Sequence, residues 1–169
     1  MTAIPDLEDI TRPVGAFGFH VSVIVQGLEG GKEICRGAFS DVSGLEATME
    51  PKAIKVGGRN YGTVQRAGPV GFSTVILKRG ITELRGAWNW WALFTGANGR
   101  RDGRYARSSR CDVLISLLNA ARQPVLVFRL ENAMPVKFKA GDLNARSTEV
   151  AVEEVHFVHE GLRIEGGSA

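Results

Sequence analysis

The sequence predicts a mainly β (α+β) fold: a small antiparallel β-barrel or two-sheet sandwich with one flanking α-helix. Three observations lead there. Period-two runs rich in β-branched residues recur along the chain, beginning with AFGFHVSVIVQ at 16–26. The connections between these runs are mostly too short for the crossovers that parallel strands require. A single stretch, TELRGAWNWWALFT at 82–95, spaces its apolar residues for a helix. At 169 residues the chain fits one domain that can bury a core without disulfides. The expected division is an N-terminal arm over 1–15, one domain over 16–164 and a tail over 165–169.

In the first run, Phe17, Phe19, Val21, Val23 and Val25 share one face. GLEGG at 27–31 reads as a turn, and KEICRGAF returns as a second strand. FSDVSGLEATMEP at 39–51 is a strand broken at Ser43-Gly44. Residues 52–71 hold five glycines and one proline. Too few apolar residues stand in register to bury them, which makes a long irregular or hairpin-like excursion, of the kind that is functional or held by a partner.

FSTVILK at 72–78 is the next strand. Lys78-Arg79-Gly80 ends it, and the helix follows with Thr82 as N-cap, Leu84, Trp88 and Trp91 on its apolar face, and Gly96, Asn98 and Gly99 at its end. CDVLISLLN (111–119) and PVLVFRLEN (124–132) pair as a hairpin through AARQ. A short segment from Val136 then leads to a long strand. Val150 and Val152 have one parity there, Val155 and Phe157 the other, so a bulge is expected near Glu153-Glu154.

Composition narrows the function classes. A 44% apolar and 23% charged chain, with no run near the ~18 apolar residues of a membrane span, is an ordinary globular protein. MTAIPDLEDITRP carries acids and resembles no secretory leader, which predicts folding in the cytoplasm and no stable membrane association. Cys35 and Cys111 match no metal spacing and read as reduced, packed thiols. In a strand, the three-residue spacing of His156 and His159 sends them to opposite faces. With His20 far away, no metal site is expected. No Gly-x-Ser-x-Gly elbow or other nucleophile motif occurs, so neither catalysis nor a cofactor is expected.

Two stretches suit binding. NGRRDGRYARSSR at 98–110 sets Arg100, Arg101, Arg104, Arg107 and Arg110 around Tyr105. It is a phosphate-backbone binder, a solvated loop, or a subunit contact paired with acids. GGRNYG at 57–62 follows no strand into a helix, which leaves a phosphate cradle unsupported, but it permits close backbone approach across a subunit boundary.

Taken in order, these segments resemble the tail tube protein family of contractile phages and phage-tail-like contractile injection systems. The resemblance rests on Val42-Ser43-Gly44-Leu45, the Gly-rich stretch, Val75-Ile76-Leu77-Lys78-Arg79-Gly80 and the Trp-bearing helix. It continues through Ala133-Met134-Pro135-Val136-Lys137, Val150-Ala151-Val152-Glu153 and His159-Glu160-Gly161-Leu162. It implies a barrel that assembles into hexameric rings, stacked as the hollow inner tube of a contractile machine. Its partners would be further copies of itself, the sheath protein, baseplate, spike and tube-terminating proteins, and a lumenal cargo of DNA or effector protein. The particle would be a phage tail or a released injection device. The expected ring interface comprises Val42, Ser43, Gly44, Leu45, Gly57, Gly58, Asn60, Arg79, Gly80, Arg100, Arg101 and Arg104, with Leu84, Trp88 and Trp91 plugging the barrel. The alternatives are a tube-initiator paralogue at the baseplate, or a nucleic-acid-binding barrel using Arg100–Arg110.

Overall fold

The computed structural model describes residues 15, 18–25, 32–37, 39–97, 110–146 and 148–166. The expected arm over 1–15 lies outside them except for Gly15, as do the first hairpin turn and the arginine stretch before Arg110.

Strand β1 (Phe19–Val25) lies between β2 (Lys32–Gly37) and β9 (Cys111–Leu118). Its expected parity holds, with Val21, Val23 and Val25 buried. They stand opposite Ile115, Val113 and Cys111 of β9, which are buried too. Cross-strand pairs of this kind fix the register, because a one-residue slip would turn the whole set to water.

Between β2 and β9 the chain forms β3 (Asp41–Ser43), β4 (Ala47–Met49), β5 (Lys52–Ile54), β6 (Val64–Arg66), β7 (Val70–Phe72), β8 (Val75–Gly80) and helix α1 (Gly86–Thr95). After β9 come β10 (Pro124–Lys139), β11 (Val152–Val158) and β12 (Gly161–Gly166). The main sheet runs β2-β1-β9-β10-β11-β8-β3, with β12 also on β10. Every pairing is antiparallel. The sheet curls until β8 lies across from β2, where Arg79 Nη1 sits 3.9 Å from Cys35 Sγ. One apolar core fills the enclosed space, built around Val21, Val75, Leu77, Trp90, Val113 and Phe157.

Several expectations need correction. The segment from Val136 is not separate, because β10 continues through it as one sixteen-residue strand. The strand exchanges partners midway, pairing β12 up to Glu131 and β9 up to Ala133, then β11 from Met134. Asn132, at φ 54°, makes the bend between Leu130 and Ala133. No bulge interrupts β11 at Glu153-Glu154, since it pairs β8 without a break from Val152↔Gly80 to Phe157↔Val75. Val150 and Val152 are simply exposed, and the register shift falls in β10 between Pro135 and Lys137.

The helix begins at Gly86, with Arg85 at the N-cap position. Thr82 instead donates its hydroxyl to Leu84 O. Gly96 closes the helix at φ 73° with its N–H on Ala92 O. The buried face comprises Ala87, Trp90 and Phe94. Leu84 precedes the helix and is 73% exposed, and Trp88 is 39% exposed with its edge against Phe138. Trp91 is half-buried. Trp90 is therefore the plug, its ring centroid 5.3 Å from that of Phe157. Gly86 fixes the orientation, because a Cβ there would stand 3.1 Å from Cys35 Sγ.

Candidate assembly interface

Strands β4 and β7 pair, and β5 pairs β6 beyond them, so residues 46–72 leave the barrel as a narrow antiparallel ribbon. Residues 46–67 are exposed throughout. Gly44 aims the ribbon from its root. With φ at 85° and space for a Cβ only 2.2 Å from Thr74 O, no side chain fits there. At the second pinch, Gly68 stands where a Cβ would lie 1.9 Å from Glu50 O.

The ribbon carries apolar side chains that its own fold does not cover: Met49, Ile54, Val56, Tyr61, Val64 and Val70. Tyr61, near the tip, is 93% exposed. A single ribbon with two wet faces buries too little to be stable alone, and exposed apolar residues concentrated on one projection mark a contact surface. Composition had pointed to the excursion but not to these residues, since with neither face buried the pattern carries no period-two contrast. The four cations Lys52, Lys55, Arg59 and Arg66 lie on the same β5–β6 hairpin, and no acid falls between 52 and 66.

The expected interface residues separate into groups. Gly57, Gly58 and Asn60 lie in the exposed hairpin loop, where a Cβ on either glycine would meet nothing within 4 Å. Val42, Ser43, Gly44 and Leu45 form the short edge strand β3 and the root of the ribbon, with Val42 and Leu45 packed on the core. Arg79 and Gly80 do not join them. Arg79 is 5% exposed, ion-paired with Glu153, hydrogen-bonded to Leu84 O at 3.2 Å and set over the Phe39 ring. Gly80 pairs Val152 within the sheet and meets Val150. Within one chain, Arg79 ties the barrel to the segment leading into α1. Arg100, Arg101 and Arg104 lie outside the described residues.

Arg110 is turned inward as well. It donates to Asn132 O at 3.0 Å and pairs Glu160 at 3.0 Å, holding the bend of β10 together with the half-buried pair Arg129–Asp112 (2.8 Å). Among the described residues no group of three or more His, Cys, Asp or Glu side chains is placed to hold a metal. The histidines are dispersed: His20 accepts from Arg36 at 3.1 Å, His156 lies 3.3 Å from Glu154, and His159 is buried. Burial pushes the thiol of Cys111 up to about 12 and raises that of Cys35, so neither offers a ready thiolate. Among the described residues no helix is long and apolar enough to cross a membrane.

A cleft of about 760 Å³ opens at the far end of β8, walled by the 140–151 loop and the start of β11. Gly141, at φ 83°, lets the loop press against β11, since a Cβ there would lie 2.1 Å from Val152 O. Leu143, Val150 and Val152 are its exposed apolar side chains.

Comparison with known proteins follows this geometry. Residues 15–163 match the family described as T4-like virus tail tube protein gp19. A chain in the cryo-EM structure of the anti-feeding prophage (AFP) baseplate, 6-fold symmetrised, is similar at 25% identity and TM-score 0.70, over 92% of this chain and 97% of that one. Two further chains share the fold. One, from the sheath–tube complex of the extracellular contractile injection system PVC in the extended state, has 22% identity and TM-score 0.68, covering 94% and 95%. The other, from the AFP tube-terminating cap, has 19% identity and TM-score 0.72, covering 99% and 100%. No curated protein matches the chain.

Proposed function

The chain belongs to the T4-like virus tail tube protein family, and from that premise we propose that it assembles into six-membered rings stacked as the hollow inner tube of a contractile machine. Its role is that of a structural tube protein of a contractile tail or contractile injection system. The observation that carries this reading is the family match across residues 15–163, nearly the whole chain.

The finer points are proposals. The six-fold symmetry of the AFP baseplate supports rings of six. The occurrence of similar chains in baseplate, sheath–tube and cap structures supports sheath, baseplate or spike, and terminating proteins as partners. Rings would form in the cytoplasm, and contraction would drive the tube through a target envelope with DNA or an effector protein in its lumen. The work is mechanical and uses no cofactor. The exposed ribbon over 46–72, with its tip at Gly57, Gly58 and Asn60, would reach the neighbouring copy, and the free edges of β2 and β3 would offer backbone groups for pairing between copies.

Negative-stain electron microscopy across a concentration series tests the proposal. Six-fold annuli or hollow rods are expected. Uniform monomers at every concentration, with preformed tube ends supplied as seeds, would overturn it.

A further inference from the structure

We infer that the 140–151 cleft is the receptor for the β5–β6 hairpin of a second copy, so that successive copies engage head to tail. This rests on the tube reading and names what the ribbon grips.

Position comes first. The ribbon leaves the barrel where Ser43 pairs Ile76, at the start of β8. The cleft lies where Val152 pairs Gly80, at the end of the same strand. At ~3.3 Å per residue the two are about 13 Å apart, at opposite ends of β8. No ribbon residue lines the cleft of its own chain.

Charge comes second. The hairpin carries Lys52, Lys55, Arg59 and Arg66 without an acid. Over the loop and the cleft lining, Asp142, Glu149 and Glu154 stand against Arg146 and Lys139, which pairs Asp142 at 3.5 Å. Four positive charges therefore face a net one negative, a complementarity that steers association and sets register.

Apolar surface is the third observation. Leu143, 82% exposed, and Val150 give the cleft uncovered apolar side chains, and Ile54, Val56 and Tyr61 give the hairpin its own. Bringing the two sets together removes both from water. A protrusion at one end that complements a recess at the other forms a heterologous contact, which repeats into an open stack and does not close as a pair.

Two experiments test this on the full-length chain. In the first, Tyr61→Cys protein and Leu143→Cys protein are mixed, assembled and oxidised. Both positions are exposed, while Cys35 and Cys111 are buried, so a disulfide-linked dimer containing one of each variant reports the contact. That dimer is expected in rods and absent from dilute monomers. Mixed rods without it would overturn the receptor assignment and leave the tube reading intact. Failure of wild-type protein to form rods would sink the tube reading first.

In the second, Lys55→Glu/Arg59→Glu raises the concentration needed for rods about tenfold, and Asp142→Lys/Glu149→Lys does the same. Combining the two pairs in one chain restores assembly to within about threefold. Cleft reversals that leave the threshold unchanged, or a combination no better than either parent, would refute the pairing.

Discussion

His159 shows how much one buried side chain says about the root of the ribbon. Its Nδ1 donates to Gly161 O at 3.0 Å, and its ring packs at a tilt against Phe72 of β7 and, more distantly, Phe157. Burial lowers its pKa below the ordinary 6.5, opposed by the bond to Gly161. Below pH 6.5 the unfolded chain takes up a proton that the folded chain resists, so stability present above that pH is lost as pH falls. Urea midpoints at pH 7.5 and 5.5 should show a larger loss for wild type than for His159→Gln. Equal losses would remove His159 from the account.

Arg79 is the second residue-scale case. Removing one member of a buried ion pair strands the other, so Arg79→Met should cost about 3–5 kcal/mol in chemical denaturation, and adding Glu153→Leu should recover most of it. A single-variant loss under about 1 kcal/mol would contradict the buried tie. Sequence alone does not show that Glu153 faces Arg79 across β8 and β11.

At the scale of elements, the strands were the most legible part. Alternation in 19–25 named Val21, Val23 and Val25 as core because one face is dry and the other wet. Helix α1 was legible as a helix but not in its orientation. Spacing groups Leu84 with Trp88 and Trp91, whereas the fold buries Ala87, Trp90 and Phe94, and the close approach of Gly86 to Cys35 is a tertiary contact that spacing does not encode. Trp90→Ala should cost about 3–5 kcal/mol, whereas Trp88→Ala should cost under about 2 kcal/mol because part of the ring is already wet. Thermal or urea unfolding of the two variants checks the order, and the reverse order would refute the assigned face.

The ribbon was legible only as an excursion. Its strands pair with one another and bury neither face, so no sequence period marks them. Gly58, at φ 79°, cannot become proline without rebuilding the turn. Gly58→Pro should leave the barrel's unfolding midpoint nearly unchanged while abolishing rods. A large fall in the midpoint would mean that the ribbon supports the barrel.

For the whole molecule, free subunits should be cut by trypsin first after Lys52, Lys55, Arg59 or Arg66, since a ribbon without a core opens locally far more often than the sheet does. Assembled rods should resist at those sites. Peptide mapping of timed digests checks this, and equal cleavage rates in both states would argue that the hairpin stays free in the tube. The bend of β10 at Asn132, clamped by Asp112, Arg110 and Glu160, lets one long strand serve both halves of the barrel.

The placement of ribbon and cleft at opposite ends of β8 also bears on direction. Each subunit is an arrow, with a projection at its head and a recess at its tail. A column of such arrows shows only projections at one terminus and only recesses at the other. A protein that starts the column must therefore differ in shape from one that stops it, and length can be regulated at one terminus without touching the other.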